Sequence, residues 1–173
     1  MATRQWRCVR QQAGQLVKEY REIRPWHSAS DTREEREEIA VVEKFRRSVT
    51  NRQVVDRLEL LLALFGWTGY HHVLTYDNEH LPTTYADVQR TFQNFRRRAQ
   101  YHRNERPFDY IYLIEGRHGD HRYHIHAVFS AEDFSNEDVK SLWRNGNVIT
   151  EPVLKGKQGY RPLAKYFVKE GTD

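Results

Sequence analysis

Thiols are nearly absent from this chain: Cys8 is the only cysteine among 173 residues. That excludes an intrachain disulfide and any cysteine-ligated zinc finger, and it fits a reducing, cytosolic setting. Long apolar runs are missing too. No stretch approaches the roughly 18 residues of a membrane span, and the opening MATRQWRCVRQQ lacks the apolar centre of a signal peptide. The expectation is a soluble, cytoplasmic protein with no membrane partner. The phosphate-loop pattern G-x-x-x-x-G-K followed by Ser or Thr does not occur, and GKQG at 156–159 does not approximate it. Internal repeats and low-complexity runs are lacking. Neither sign of charge dominates: 28 Lys and Arg stand against 24 Asp and Glu, a net +4. The pI near 9.2 hints mildly at a polyanionic partner.

What is present suffices for one compact domain, since 38% of the residues are hydrophobic. We divide the chain into a helical N-terminal extension, 1–50, and a main domain, 51–173. From Arg4 to Val49 charges mix with scattered apolar residues, broken by Pro25 and SASDTREEREE, and we expect two helices there. In NRQVVDRLELLLALFGW, Asn51 is a candidate N-cap, and Val54, Val55, Leu58, Leu61, Leu62 and Phe65 recur at helical spacing before Gly66.

Beyond Gly66 the pattern alternates strand and helix. YHHVLTYD (70–77) reads as a strand, and Thr84 to His102 reads as a helix with Tyr85, Val88, Phe92 and Phe95 on one face and Arg90, Arg96, Arg97 and Arg98 on another. FDYIYLIE (108–115) and RYHIHAVFS (122–130) read as antiparallel strands across the loop residues GRHGD. SNEDVKSLWRNG reads as a short helix with Ser135 and Asp138 in capping-box spacing. NVITEPVL (147–154) is an edge strand because it contains Pro152, and RPLAKYFVKE (161–170) is a final helix. The order predicts an α+β fold: a mainly antiparallel sheet with helices packed on one face.

Within RYHIHAVFS, His124 and His126 share a strand face about 7 Å apart, while Ile125, Ala127 and Phe129 take the other. Two imidazoles so placed can converge on one ion, and Glu115, at the end of the preceding strand, can supply a carboxylate. Such a set suits Mn²⁺, Mg²⁺ with waters, or a transition metal, and leaves positions open for substrate. The bland alternative is a solvated or hydrogen-bonded histidine pair. His118 and His121 are surface residues or substitute ligands, whereas His71, His72 and His80 read as structural or solvent-facing. On the last helix Tyr166 and Lys169 share a face. The ammonium can favour the phenolate and neutralise a phosphate, unless Lys169 is an ordinary surface lysine.

Taken in order, VLTYDNEHLP (73–82), HIH (124–126) and YFVK (166–169) resemble the motifs of HUH endonucleases, specifically rolling-circle replication initiators of small single-stranded DNA phages, prophages and plasmids. The resemblance covers about residues 50–170. It implies a ferredoxin-like, RRM-like core and a divalent ion, Mn²⁺ or Mg²⁺, held by Glu115, His124 and His126. Tyr166 would be the nucleophile and Lys169 its electrostatic assistant. The implied activity is nicking and rejoining of single-stranded DNA at a replication origin through a 5′-phosphotyrosine, with a host or phage helicase separating the strands. Some initiators carry two tyrosines four residues apart; here that position is Pro162, so Tyr160 is a minor candidate only. Arg96, Arg97 and Arg98 are candidate phosphate contacts or a merely solvated face. Asp77 is either a DNA or site contact or a loop cap. Two other readings stand beside this one: an HUH transposase or relaxase, and a non-catalytic RRM-like nucleic-acid-binding module.

Overall fold

The computed structural model describes residues 6–14, 16–23, 51–116 and 122–172. Strands β1 (Trp6–Ala13) and β2 (Leu16–Ile23) form an antiparallel hairpin, and helix α1 (51–65) leads through a 3₁₀ turn (Gly66–Thr68) into strand β3 (Gly69–Thr75). Helix α2 (Tyr85–His102), strands β4 (Ile111–Glu115) and β5 (His124–Ser130), helix α3 (Asn136–Leu142), strand β6 (Val148–Pro152) and helix α4 (Arg161–Thr172) follow. The four-stranded sheet runs β4-β5-β3-β6 with every pairing antiparallel. The expected α+β class with an antiparallel sheet holds, and Pro152 does lie on an edge strand.

Local chemistry accounts for the boundaries. Thr84 and Ser135 each cap a helix, with Asp87 and Asp138 completing the reciprocal bonds of a capping box. Gly146 lies against the end of β3, where an added Cβ would collide with the Thr75 carbonyl oxygen. That close approach lets Thr75 and Asp77 donate their N–H groups to the Asn147 and Asn145 carbonyls, both at 2.9 Å.

Each face of the sheet buries its own core. Leu74, Ile114, Ile125, Ala127, Phe129 and Val148 meet Val88, Phe92 and Phe95 of α2 and Val139 of α3. Several of these side chains are fully buried, each worth roughly 1.5–3 kcal/mol. Across the sheet, Val128 joins Val55, Leu62 and Ala63 of α1, Ala164 and Phe167 of α4, and Ala13 of the hairpin. Helices α2 and α3 therefore cover one face as expected, and α1 and α4 occupy the other. Period two explains the division: each strand offers apolar residues to both sides.

The N-terminal expectation is corrected in part. Residues 6–13 and 16–23 are strands and not a helix, and Gly14, at φ +53°, lets the chain reverse where Ala13 pairs with Leu16. Residues 24–50, including the second expected helix, lie outside the described residues. Asn51 is already helical, so it is not the cap of α1. Among the described residues, no helix is long and apolar enough to cross a membrane.

Candidate metal centre and nucleophile

Antiparallel register assembles the site. Glu115 on β4 and Thr75 on β3 both lie opposite His124 on β5, and Leu113 and Val73 both lie opposite His126. Glu115, His124 and His126 thus project from two neighbouring strands toward the face covered by α4. Their ligating atoms all lie within 4.8 Å of one another. His124 Nε2 is 2.8 Å and His126 Nε2 is 2.7 Å from the same oxygen, Glu115 Oε2.

The outer nitrogens of the two rings are also engaged. His124 Nδ1 lies 3.0 Å from the Arg122 carbonyl, which can only accept, so this nitrogen carries a proton and Nε2 is the atom turned toward Glu115. His126 Nδ1 lies 2.9 Å from His71 Nε2, and the two rings stack with centroids 5.1 Å apart. Burial, reinforced by the charge of His126, lowers the His71 pKa to about 4, so His71 is neutral and can accept from His126 Nδ1–H. That leaves His126 Nε2 facing Glu115. Orientation of metal-binding imidazoles by partners on their second nitrogen is a general feature of metal sites. The sequence alone offers only a structural or solvent-facing role for His71, and the structure adds this contact with a site histidine. Its place beside His126 follows from the β3–β5 register, and its parity with Val73 on the same strand face is the available signal.

Burial would raise the Glu115 pKa, but hydrogen bonds from Tyr166 and His126 and the charges of His124 and His126 outweigh it and hold the carboxyl below its usual range. An ionised carboxylate and two inward-facing imidazole nitrogens, spread over a distance that bonds of about 2.0–2.4 Å to one ion accommodate, fit a divalent cation. His118 and His121 lie outside the described residues.

Tyr166 completes the cluster. Its hydroxyl donates to Glu115 Oε2 at 2.9 Å and lies 3.1 Å from His126 Nε2. Helix α4 sets this position through Phe167, whose ring packs edge-on against His71 at 5.7 Å and tilts against His126 at 6.2 Å. Tyr166 itself is 36% exposed, open to a substrate from solvent. Lys169 is exposed one turn further along α4. Tyr160, by contrast, is buried among Val55, Leu62 and Ala164 and is not part of the cluster.

The start of α4 is fixed by charge. Arg161 Nη1 lies 2.5 Å from Asp56 Oδ1 and 3.3 Å from Glu59 Oε2, both on α1. Lys18 of β2 reaches the same pair, at 3.2 Å from Asp56 and 2.5 Å from Glu59.

The other candidates go elsewhere. Asp77 caps its own loop, accepting from the Glu79 and His80 N–H groups and from His80 Nδ1. Arg96 donates to the Tyr110 hydroxyl at 2.6 Å, and Arg98 Nε donates to the Leu142 carbonyl at 3.0 Å, whereas Arg97 is exposed. His72 is buried on the α2 face against Thr150, and His80 is paired with Asp77, as structural or surface residues.

Comparison with known proteins bears on this placement. The sequence model of a family of replication-associated proteins, the ORF2 type, matches residues 70–171, which contain every member of the cluster. A similar solved structure is the crystal structure of the hypothetical protein ORF119 from Sulfolobus islandicus rod-shaped virus 1. It is 19% identical over 61% of this chain and 82% of that chain, with a TM-score of 0.41. No curated protein matches.

Proposed function

The chain belongs to the ORF2-type family of replication-associated proteins, and we propose that its part in replication is to nick and rejoin single-stranded DNA at a rolling-circle origin, as an HUH endonuclease. The observation that carries this reading is the meeting of the Tyr166 hydroxyl with Glu115 and His126 at 2.9 and 3.1 Å. A structural tyrosine has no need of a cluster with the donor set of a divalent ion.

Glu115, His124 and His126 would hold the ion; two nitrogens and one carboxylate favour Mn²⁺ over the more strictly oxygen-seeking Mg²⁺. When bound, it supplies Lewis-acid polarisation of the scissile phosphate. Tyr166 attacks the phosphorus in line. An O–P bond forms to the phenolic oxygen, the P–O3′ bond breaks, the phenolic proton passes to water, and the departing 3′ oxygen takes one up. The products are a 5′-phosphotyrosyl protein and a free 3′-hydroxyl. One phosphodiester replaces another, so the reverse attack rejoins the strand without ATP. Lys169 favours the phenolate by its charge. Strand separation falls to a separate helicase, host or phage.

Incubation with end-labelled single-stranded origin DNA and Mn²⁺, followed by denaturing electrophoresis, tests this function. A covalent adduct should form with the wild type and vanish in Tyr166→Phe and in His124→Ala/His126→Ala. An adduct that persists in Tyr166→Phe would refute the assignment.

A further inference from the structure

The sheet has an open end, away from the cluster, marked on its four strands by Ile111, Ser130, Gly69 and Pro152. A cleft of about 760 Å³ lies there between the end of α1 and the strand ends. Leu61 and Leu64, one turn apart on α1, line it together with Trp67 of the 3₁₀ turn and Leu154 just past β6. All four are exposed, Trp67 to 85%. An apolar residue alone on a surface is ordinary, but four lining one concavity mark a surface that meets another macromolecule. Tryptophan is also among the residues that most often carry the binding energy of a protein interface.

Charge on the two sides of this patch identifies the partner. The strand order β4-β5-β3-β6 places Asp109, just before β4, and Glu132, just after β5, on one side, and Lys155, beyond β6, on the other. Trp67, which leads into β3, stands between them. All three charged side chains line the same cleft, and among the described residues none of them makes an ion pair. Asp133, also on the lining, is taken by Arg103. A row of acid, apolar centre and base is self-complementary under a twofold axis through the centre: the base of one copy meets the acids of the other, twice, and the apolar centre meets itself. A partner with charge of one sign would instead face like charge along one side of the patch.

We propose that this end of the sheet joins two copies of the chain in a twofold dimer, with Leu64 and Trp67 packed about the axis and Lys155 of each copy facing Asp109 and Glu132 of the other. The interface does not depend on the nicking function proposed above. It leaves the cluster open, because the length of β3, Gly69–Thr75, sets His124 about 20 Å from the joined end. The two clusters of the dimer therefore lie toward its outer ends.

Sedimentation equilibrium of the full chain over a wide range of protein concentration tests the dimer. Trp67→Ala changes an exposed position, keeps the fold and should raise the dimer dissociation constant about 30-fold. Lys155, Asp109 and Glu132 are exposed as well. Lys155→Glu and the double variant Asp109→Lys/Glu132→Lys should each raise the constant about tenfold, because each sets like charges opposite one another at both symmetric contacts. Mixed in equal amounts, these two charge variants should pair with each other as tightly as the wild type pairs with itself, since every contact then joins acid to base. Lys140→Glu, an exposed change on α3 across the sheet, should match the wild type. A wild type that is monomeric at millimolar concentration would overturn the assignment. So would a dimer indifferent to Trp67→Ala, which would have formed through another surface. A mixture of the charge variants that stays as weak as either alone would overturn it too, because a twofold interface requires the rescue.

Discussion

His126 Nε2 and the Tyr166 hydroxyl stand 3.1 Å apart, although 40 residues separate them in the chain. One comes from a central strand and the other from the last helix. Their meeting depends on α4 being held over the sheet at a fixed height and rotation. The expected effects of mutation follow from what does the holding.

His71 accepts from His126 Nδ1–H, so His71→Leu should leave the ring of His126 free to turn and to change tautomer. Mn²⁺ affinity measured by isothermal titration calorimetry should fall about 10- to 100-fold with little change in Tm. His71→Gln, which can restore an acceptor, should recover part of the loss. Unchanged affinity in His71→Leu would exclude the orienting role.

Tyr160 and Tyr166 should separate cleanly. Tyr160→Phe removes one hydroxyl from a buried packing residue and should form the DNA adduct within about twofold of wild type, by the general tolerance of shape-conserving changes. Gel quantification beside Tyr166→Phe checks this. Loss of adduct in a folded Tyr160→Phe would mean that the phenol at the start of α4 takes part after all.

Glu59→Gln leaves Lys18 and Arg161 facing a neutral amide at a position only 4% exposed. Breaking a buried ion pair from one side costs on the order of 3 kcal/mol. For a chain of this size that lowers Tm by about 6–12 °C. Adduct formation should slow as well, because the start of α4 loses its tie to α1. A thermal melt and an adduct time course read the two effects separately.

The buried ring of His72 should make stability depend on pH. Burial, with a contribution from the charge of His71, lowers its pKa to about 4, against about 6.5 in the unfolded chain. The unfolded state therefore takes up the proton more readily. The stability this provides is complete above about pH 6.5 and is lost as pH falls toward 4. Calorimetric melts should show Tm declining across that window, and His72→Gln should flatten the decline. A wild-type Tm that is level from pH 7 to pH 4.5 would contradict it.

Period-two alternation is enough to set His124 and His126 on one face, and a carboxylate closing an otherwise apolar strand is enough to single out Glu115 as the third donor. Tyr166 is legible from its spacing to Lys169 and from the order of the motifs. His71 is not, because its neighbour is set by register across two strands, and nothing within YHHVLTYD tells which strand will lie alongside. The N-terminal hairpin escapes sequence reading for a local reason. Gly14 takes a positive φ right after Ala13, which pairs with Leu16, but charged flanks read more readily as helix. The α2 arginines look like one stripe in the sequence, yet Arg96 goes to a tyrosine hydroxyl, Arg98 to a backbone carbonyl and Arg97 to the surface. Helical spacing tells which residues are neighbours on the surface and says nothing of what packs beside them.

Lys18, Asp56, Glu59 and Arg161 tie together three stretches of chain, two of which lie upstream of residue 70, where the match to the family begins. A fragment trimmed to that boundary would retain Glu115, His124, His126 and Tyr166 while shedding the buttress behind the terminal helix. It would carry a complete set of tools on an unsupported arm, and the upstream residues are better regarded as the frame that keeps phenol and imidazole in mutual reach.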